Sequence, residues 1–248
     1  MGCRCYGIQG FYRAGFGCGR ACRFIRFHPQ TIMIKLVIFD LDGTLVNAYK
    51  AVSQSVNYTL NSLGFAGRSD LEIKRSVGGG DRKLMVHFVG EGLADRAIAV
   101  YRPHHTQALK VKGAVKLLPG SLETLKYLKA QGYKTAIASN RPTKFTRIIL
   151  KVLGIMPFFD VVLCADRVEK PKPDPEILWD IASRLKIDRK EVLYIGDMTI
   201  DVNCARRAGV RMAAVATGSS SKKELKDLKP WRIISKINQL KAILREAK

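Results

Sequence analysis

Acidic residues are scarce in this chain: 21 Asp and Glu stand against 43 Lys and Arg in 248 residues, a net charge of +22. Residues 1–32 carry +5 from five Arg and no acid, 33–45 carry −1, and 46–118, 119–218 and 219–248 carry +6 each. An excess spread this evenly excludes a basic tail. No basic block with interleaved aromatics marks a nucleic-acid surface, so no specific nucleic-acid partner is expected. Long apolar runs are missing too: nothing approaches the roughly 18 residues of a membrane span, and the first residues lack the apolar stretch of a signal peptide. Beyond residue 22 cysteine is limited to Cys164 and Cys204, which read as small buried hydrophobes rather than a disulfide framework. A cytoplasmic protein with no membrane partner is expected, as a monomer or homodimer.

Residues 1–32 do not belong with the rest. They are rich in Gly, Arg and Cys and follow neither a helical nor a strand period. Gly2 with Cys3 and Cys5 hints at acylation, but Tyr6 stands where the myristoylation pattern wants Ser or Thr. Cys3, Cys5, Cys18 and Cys22 match no common zinc spacing. The segment reads as a disordered leader or a mis-assigned start, because Met33 opens a strand directly.

After Met33, five short apolar runs recur at 34–39, 133–138, 160–163, 192–195 and 211–215, separated by amphipathic segments such as Leu122/Leu125/Leu128 and Ile177/Ile181/Leu185. Near-continuous apolar strands alternating with helices predict an α/β fold, a Rossmann-like parallel sheet covered by helices on both faces. One interval breaks the rhythm. Residues 46–118 hold a helical stripe at Val52, Val56, Leu60 and Leu63, a second at Leu84, Met85, Phe88 and Val89, and a third across 93–110. This predicts a helical cap inserted after the first strand, with the core formed by 33–45 and 119–248. The tail predicts a short charged helix, a strand near Arg232-Ile233-Ile234 and a helix facing inward through Ile237, Leu240, Ile243 and Leu244. Ser219-Ser220-Ser221 reads as a polar turn and no more.

Polar residues fall where such a sheet binds ligands, at the carboxyl ends of its strands. Asp40 and Asp42 follow the first run, Ser139 and Asn140 the second, Lys170 the third, and Asp197 and Asp201 the fourth. Two carboxylates at the end of a buried strand are costly without a cation, and phosphate chemistry is a common reason to hold one there.

The ordered set D-L-D-G-T at 40–44, S-N at 139–140, K-P-K-P-D-P at 170–175 and G-D-x-x-x-D at 196–201 resembles the haloacid dehalogenase superfamily, and within it phosphoglycolate phosphatase-like enzymes. Gly78-Gly79-Gly80, L-P-G-S-L-E-T-L at 118–125 and A-R-R-A-G-V at 205–210 extend the resemblance, which runs from about Met33 to the C-terminus. It implies a phosphomonoesterase acting on a small phosphorylated metabolite through an aspartyl-phosphate. Asp40 matches the nucleophile, Asp42 the general acid/base, Ser139 the phosphoryl-binding hydroxyl and Lys170 the charge-neutralising amine. The K-P-x-P frame selects Lys170 over Lys172. Mg²⁺ is the implied cofactor, on Asp40, the backbone carbonyl of Asp42 and Asp197, with Asp201 behind them as a partner of the lysine. Gly43, Thr44, Asn140, Gly79, Gly80 and Arg82 are the expected substrate contacts, Thr44 chiefly by stabilising its turn; Lys83, Arg102, His104 and His105 are further cap candidates. The second Asp points away from carbon–halogen cleavage. Asn47 stands where these enzymes often carry Asp, near the cap hinge. Pyrophosphatase or phosphosugar mutase activity is the alternative within the superfamily, and a non-enzymatic nucleic-acid binder a distant third.

Overall fold

The computed structural model describes residues 33–246; the reading of residues 1–32 as a leader lies outside them. In chain order the elements are β1 (Leu36–Phe39), β2 (Val46–Asn47), α1 (Tyr49–Ser62), α2 (Asp70–Ser76), α3 (Asp81–Val89), α4 (Ala94–Ala108), β3 (Lys116–Leu117), α5 (Ser121–Ala130), β4 (Lys134–Ser139), α6 (Thr143–Val152), β5 (Val161–Cys164), α7 (Glu176–Arg184), β6 (Val192–Gly196), α8 (Thr199–Ala208), β7 (Arg211–Val215), α9 (Lys222–Asp227), β8 (Arg232–Ile234) and α10 (Leu240–Glu246).

Six strands form one sheet in the order β5-β4-β1-β6-β7-β8, all neighbours parallel. Strand side chains alternate between faces, so Leu36 and Ile38 enter one buried cluster with Ala136, Tyr194 and Ile181, while Val37 and Phe39 enter the other with Ile137, Ile195 and Phe145. That double burial explains why β1 is apolar without interruption. The chain runs outward from β1 through β4 to β5, then returns to the other side of β1 at β6. The carboxyl end of β1 is therefore the switch point of the sheet, the position where open α/β sheets bind ligands.

The interval after β1 holds four helices, α1 to α4. The α1 stripe lies as its spacing predicts: Val52, Val56 and Leu60 are buried, Leu63 half-buried. Each fully buried side chain contributes about 2 kcal/mol, and a charge at Val56 would break the packing of α1 on α4. Helix α2 had no periodic signal; Ser69 starts it by accepting a hydrogen bond from the Glu72 N–H, with Asp70 and Glu72 in its first turn. Sequence patterning also misses the β2–β3 pair, where Val46 faces Leu117 and Asn47 faces Lys116 antiparallel. Two residues per strand are too few to show a period. The pair brings the outgoing and returning chain together between the helices and the sheet. Among the described residues no helix is long and apolar enough to cross a membrane.

Candidate active site

Asp40 leaves β1 with its N–H on the Ile195 carbonyl of β6, at 2.8 Å. Its partner is Lys172, whose Nζ lies 2.6 Å from Asp40 Oδ1, 2.8 Å from Asp201 Oδ1 and 3.0 Å from the Tyr194 hydroxyl. An ammonium has three N–H bonds, and here each has an acceptor. The structure corrects the sequence on this point: Lys172, not Lys170, reaches Asp40. Lys170 is exposed. The Glu176 carboxylate accepts the backbone N–H of both Glu169 and Lys170, which holds that turn at the surface. Asn140 fixes Lys172 instead. Its Oδ1 accepts the Lys172 N–H at 3.0 Å, and its Nδ2 donates to the Lys172 carbonyl at 3.0 Å and to the Gly78 carbonyl at 2.9 Å. Asn140 is thus a clamp joining the lysine loop to the glycine run before α3.

Asp197 is fully buried; Oδ1 accepts from the Thr44 hydroxyl at 2.9 Å and Oδ2 from the Ser219 N–H at 3.0 Å. Two glycines make room for it. A Cβ on Gly43, where φ is +82°, would lie 2.5 Å from Asp197 Oδ2, and one on Gly218 only 1.6 Å away. The serine turn after β7 therefore belongs to the site, contrary to its reading as a plain turn: Ser219 also bonds the Tyr49 hydroxyl, and Ser220 Oγ accepts the Thr199 N–H. Its signal was position, since it follows another strand of the same sheet.

Carboxylate oxygens of Asp40, Asp197 and Asp201 lie within 4.8 Å of one another. Burial, with the neighbouring Asp201 charge and against the pull of Lys172, pushes the Asp40 carboxyl up to about 7. Burial and the Asp40 and Asp201 charges push Asp197 well above the carboxylate range. Burial works against the Lys172 ammonium, but Asp201 and Asp40 hold it above its ordinary value. Lys172 thus serves two of the three buried carboxylates, and among the described residues Asp197 has only the Thr44 hydroxyl and the Ser219 N–H. Hard oxygen donors with surplus negative charge fit a divalent cation of the Mg²⁺ type. Asp201 is the least available of the three: Oδ1 accepts from Lys172 and Tyr194, and Oδ2 from the Met198 N–H.

A cavity of about 70 Å³ opens beside Asp40, well below the roughly 300–1,000 Å³ of drug-sized sites. Asp42, Ser139, Asn140 and Gly80 line it, with Val52, Leu84 and Tyr101 from the helical segment opposite. Asp42 Oδ2 accepts from Arg141 Nε at 2.7 Å, while its Oδ1 is buried without a hydrogen-bond partner. Of the expected substrate contacts, Gly43, Thr44, Gly79 and Arg82 do not line this cavity: Gly43 and Thr44 lie against Asp197, while Gly79 and Arg82 border an adjoining outer hollow and Arg82 pairs with Glu91 and Asp95. Lys83 borders the same hollow. Arg102 pairs with Asp81, and His104 stacks on Tyr58. Sequence reading passed over Arg141, although the tripeptide Ser139-Asn140-Arg141 carries it at a strand end, and over Tyr194, hidden in an apolar strand.

A family model described as haloacid dehalogenase-like hydrolase matches residues 37–215. The chain is 29% identical over 223 residues to a phosphoglycolate phosphatase of Nitrosococcus oceani, covering 86% of this chain and 97% of that one. It is 28% identical over 185 residues to a phosphoglycolate phosphatase of Aquifex aeolicus, covering 75% and 86%. The crystal structure of a predicted phosphoglycolate phosphatase from Haemophilus somnus superposes with a TM-score of 0.79 at 26% identity, covering 85% and 97%. The chain belongs to the haloacid dehalogenase-like hydrolase family, with its parallel α/β fold.

Proposed function

We propose that this hydrolase is a Mg²⁺-dependent phosphatase that cleaves a small phosphate monoester through an aspartyl-phosphate, with a 2-phosphoglycolate-like ester as the first substrate to test. The observation that carries the reading is Asp40: a buried carboxylate at the switch point, held on one oxygen by Lys172, with Asp42 two residues on and a small cavity in front. The relatives' names supply the ester class.

Asp40 Oδ2 has no hydrogen bond among the described residues and is the attacking atom. It forms a bond to phosphorus as the ester oxygen departs, and Asp42 gives that oxygen a proton. Asp42 then takes a proton from water, whose oxygen attacks phosphorus and releases Asp40 and inorganic phosphate. Ser139 Oγ, already accepting the Arg141 N–H at 3.2 Å, directs its own proton toward a phosphoryl oxygen. Lys172 stabilises charge gathering around Asp40. Asp40, Asp197 and the Asp42 carbonyl would hold the metal, which orients the phosphate and screens it from the carboxylates. Residues 46–118 act as a cap, pivoting at the β2–β3 pair to exclude bulk water.

The test is a panel of phosphate esters assayed with Mg²⁺ and with EDTA, using wild type and Asp40→Asn. Mg²⁺-dependent release of phosphate by the wild type, absent in the variant, is expected. A wild type inert toward every ester ends the reading.

A further inference from the structure

Two cationic side chains border the cavity among the described residues, Lys172 and Arg141. All three N–H bonds of Lys172 already have protein acceptors. Arg141 differs. Of its five N–H bonds, Nε–H goes to Asp42 and one Nη1–H to His105 Nε2, at 2.7 Å each. Among the described residues Nη2 has no acceptor, yet it is not a buried unsatisfied atom. Arg141 itself lines the cavity, and this edge keeps its donors for a ligand there.

The partners of Arg141 fix its plane: Asp42 pairs with the Nε edge of the guanidinium, and Nη2 keeps its donors. Arg141 can only donate, so His105 Nε2 accepts, and the His105 proton sits on Nδ1. Nδ1 donates to Ser55 Oγ at 3.0 Å, and Ser55 Oγ passes its own proton to the Ala51 carbonyl at 2.8 Å. His105 is thus neutral, fully bonded and buried, and adds no negative charge to offset the guanidinium. The cations expected to read substrate from the helical segment are turned outward or already paired.

Building on the phosphatase reading, we infer that Arg141 is the specificity-determining residue, taking a carboxylate carried on a short leaving group of the phosphate ester. Arg141 lies one hydrogen bond beyond Asp42, the group placed at the leaving oxygen. A carboxylate one or two carbons past that oxygen meets the guanidinium edge, where a planar fork matches a planar anion. Val52 and Leu84 give the cavity an apolar wall against which a short carbon chain packs.

The experiment compares 2-phosphoglycolate with its neutral amide, 2-phosphoglycolamide, on the wild type, then on Arg141→Lys and Arg141→Gln. A wild-type preference of about 100-fold in kcat/KM for the carboxylate is expected from a charge-assisted contact. It should shrink to within about fivefold in Arg141→Gln, mainly through KM of the acid, with Arg141→Lys between. Equal turnover of the two esters by the wild type overturns the inference and leaves the phosphatase reading standing. A wild type inert toward both esters and the wider panel overturns that reading instead. A residue that only positions Asp42 would lower kcat on both esters by the same factor and keep the preference, and that result also overturns the inference. The wild-type comparison does not depend on how well either variant folds.

Discussion

The carboxamide of Asn140 grips Lys172 from both sides, accepting its backbone N–H and donating to its carbonyl, each at 3.0 Å. The same amide reaches the Gly78 carbonyl at 2.9 Å. One side chain thereby sets the lysine loop and ties it to the segment that enters α3.

Replacing Asn140 by Ala leaves a buried N–H and two carbonyls without their partner. A stability loss of about 2 kcal/mol is expected, seen as a lower urea midpoint at unchanged slope. Turnover should fall more than stability alone explains, because Lys172 loses its register. Asn140→Asp, which turns a carboxylate oxygen toward the Lys172 and Gly78 carbonyls, should cost at least as much as the alanine variant.

The two lysines separate cleanly. Lys172→Met removes the cation that bonds the buried Asp40 and Asp201 and should cost about 1,000-fold in kcat, the scale of losing one preorganised electrostatic group. Lys170→Met touches only solvent and should leave kcat within about twofold. Equal losses in the two variants would contradict the placement of Lys172.

Gly218→Ala puts a methyl 1.6 Å from the Asp197 carboxylate. Overpacking of this kind costs about 1–3 kcal/mol, and Asp197 must move. The variant should need a higher Mg²⁺ concentration for half-maximal activity, measured by titrating the metal at saturating ester.

His105 gives stability a pH signature. Burial first, then the Arg141 charge, lowers its pKa from 6.5 to about 2. The unfolded chain takes up a proton below pH 6.5 that the folded chain refuses, so this contribution is complete above 6.5 and is lost as pH falls toward the folded value. The slope is about 1.4 kcal/mol per pH unit. Between pH 7.5 and 5.0 the wild type should lose roughly 2 kcal/mol more than His105→Gln in urea unfolding. Parallel losses in the two proteins would show that His105 titrates normally.

Much of this was legible in the chain. Doubly buried strands need unbroken apolar runs, so β1, β4, β6 and β7 announced themselves, and α1 did so by its stripe. Helix α2 and the β2–β3 pair did not, because seven and two residues are too short for a period to show. The polar residues after β1, β4 and β6 pointed to the mouth of the sheet, and Asp40, Asp42, Ser139, Asn140 and Asp197 all line it or meet there.

What the sequence determined by itself is the sheet and the strand ends that carry the carboxylates, since hydrophobic period and strand-end position are local properties. Which lysine turns inward was not local. Lys170 and Lys172 stand two residues apart in one Pro-rich loop, and the choice rests on Asn140, 32 residues away, and Glu176, which hold the two backbones differently. Arg141 is the same case: a charged residue beside Asn140 becomes a recognition group only because Asp42 and His105, from distant parts of the chain, fix its plane and leave one edge open. Tertiary structure decided these points, because hydrogen-bond acceptors orient a side chain only once the fold brings them within 3 Å or so.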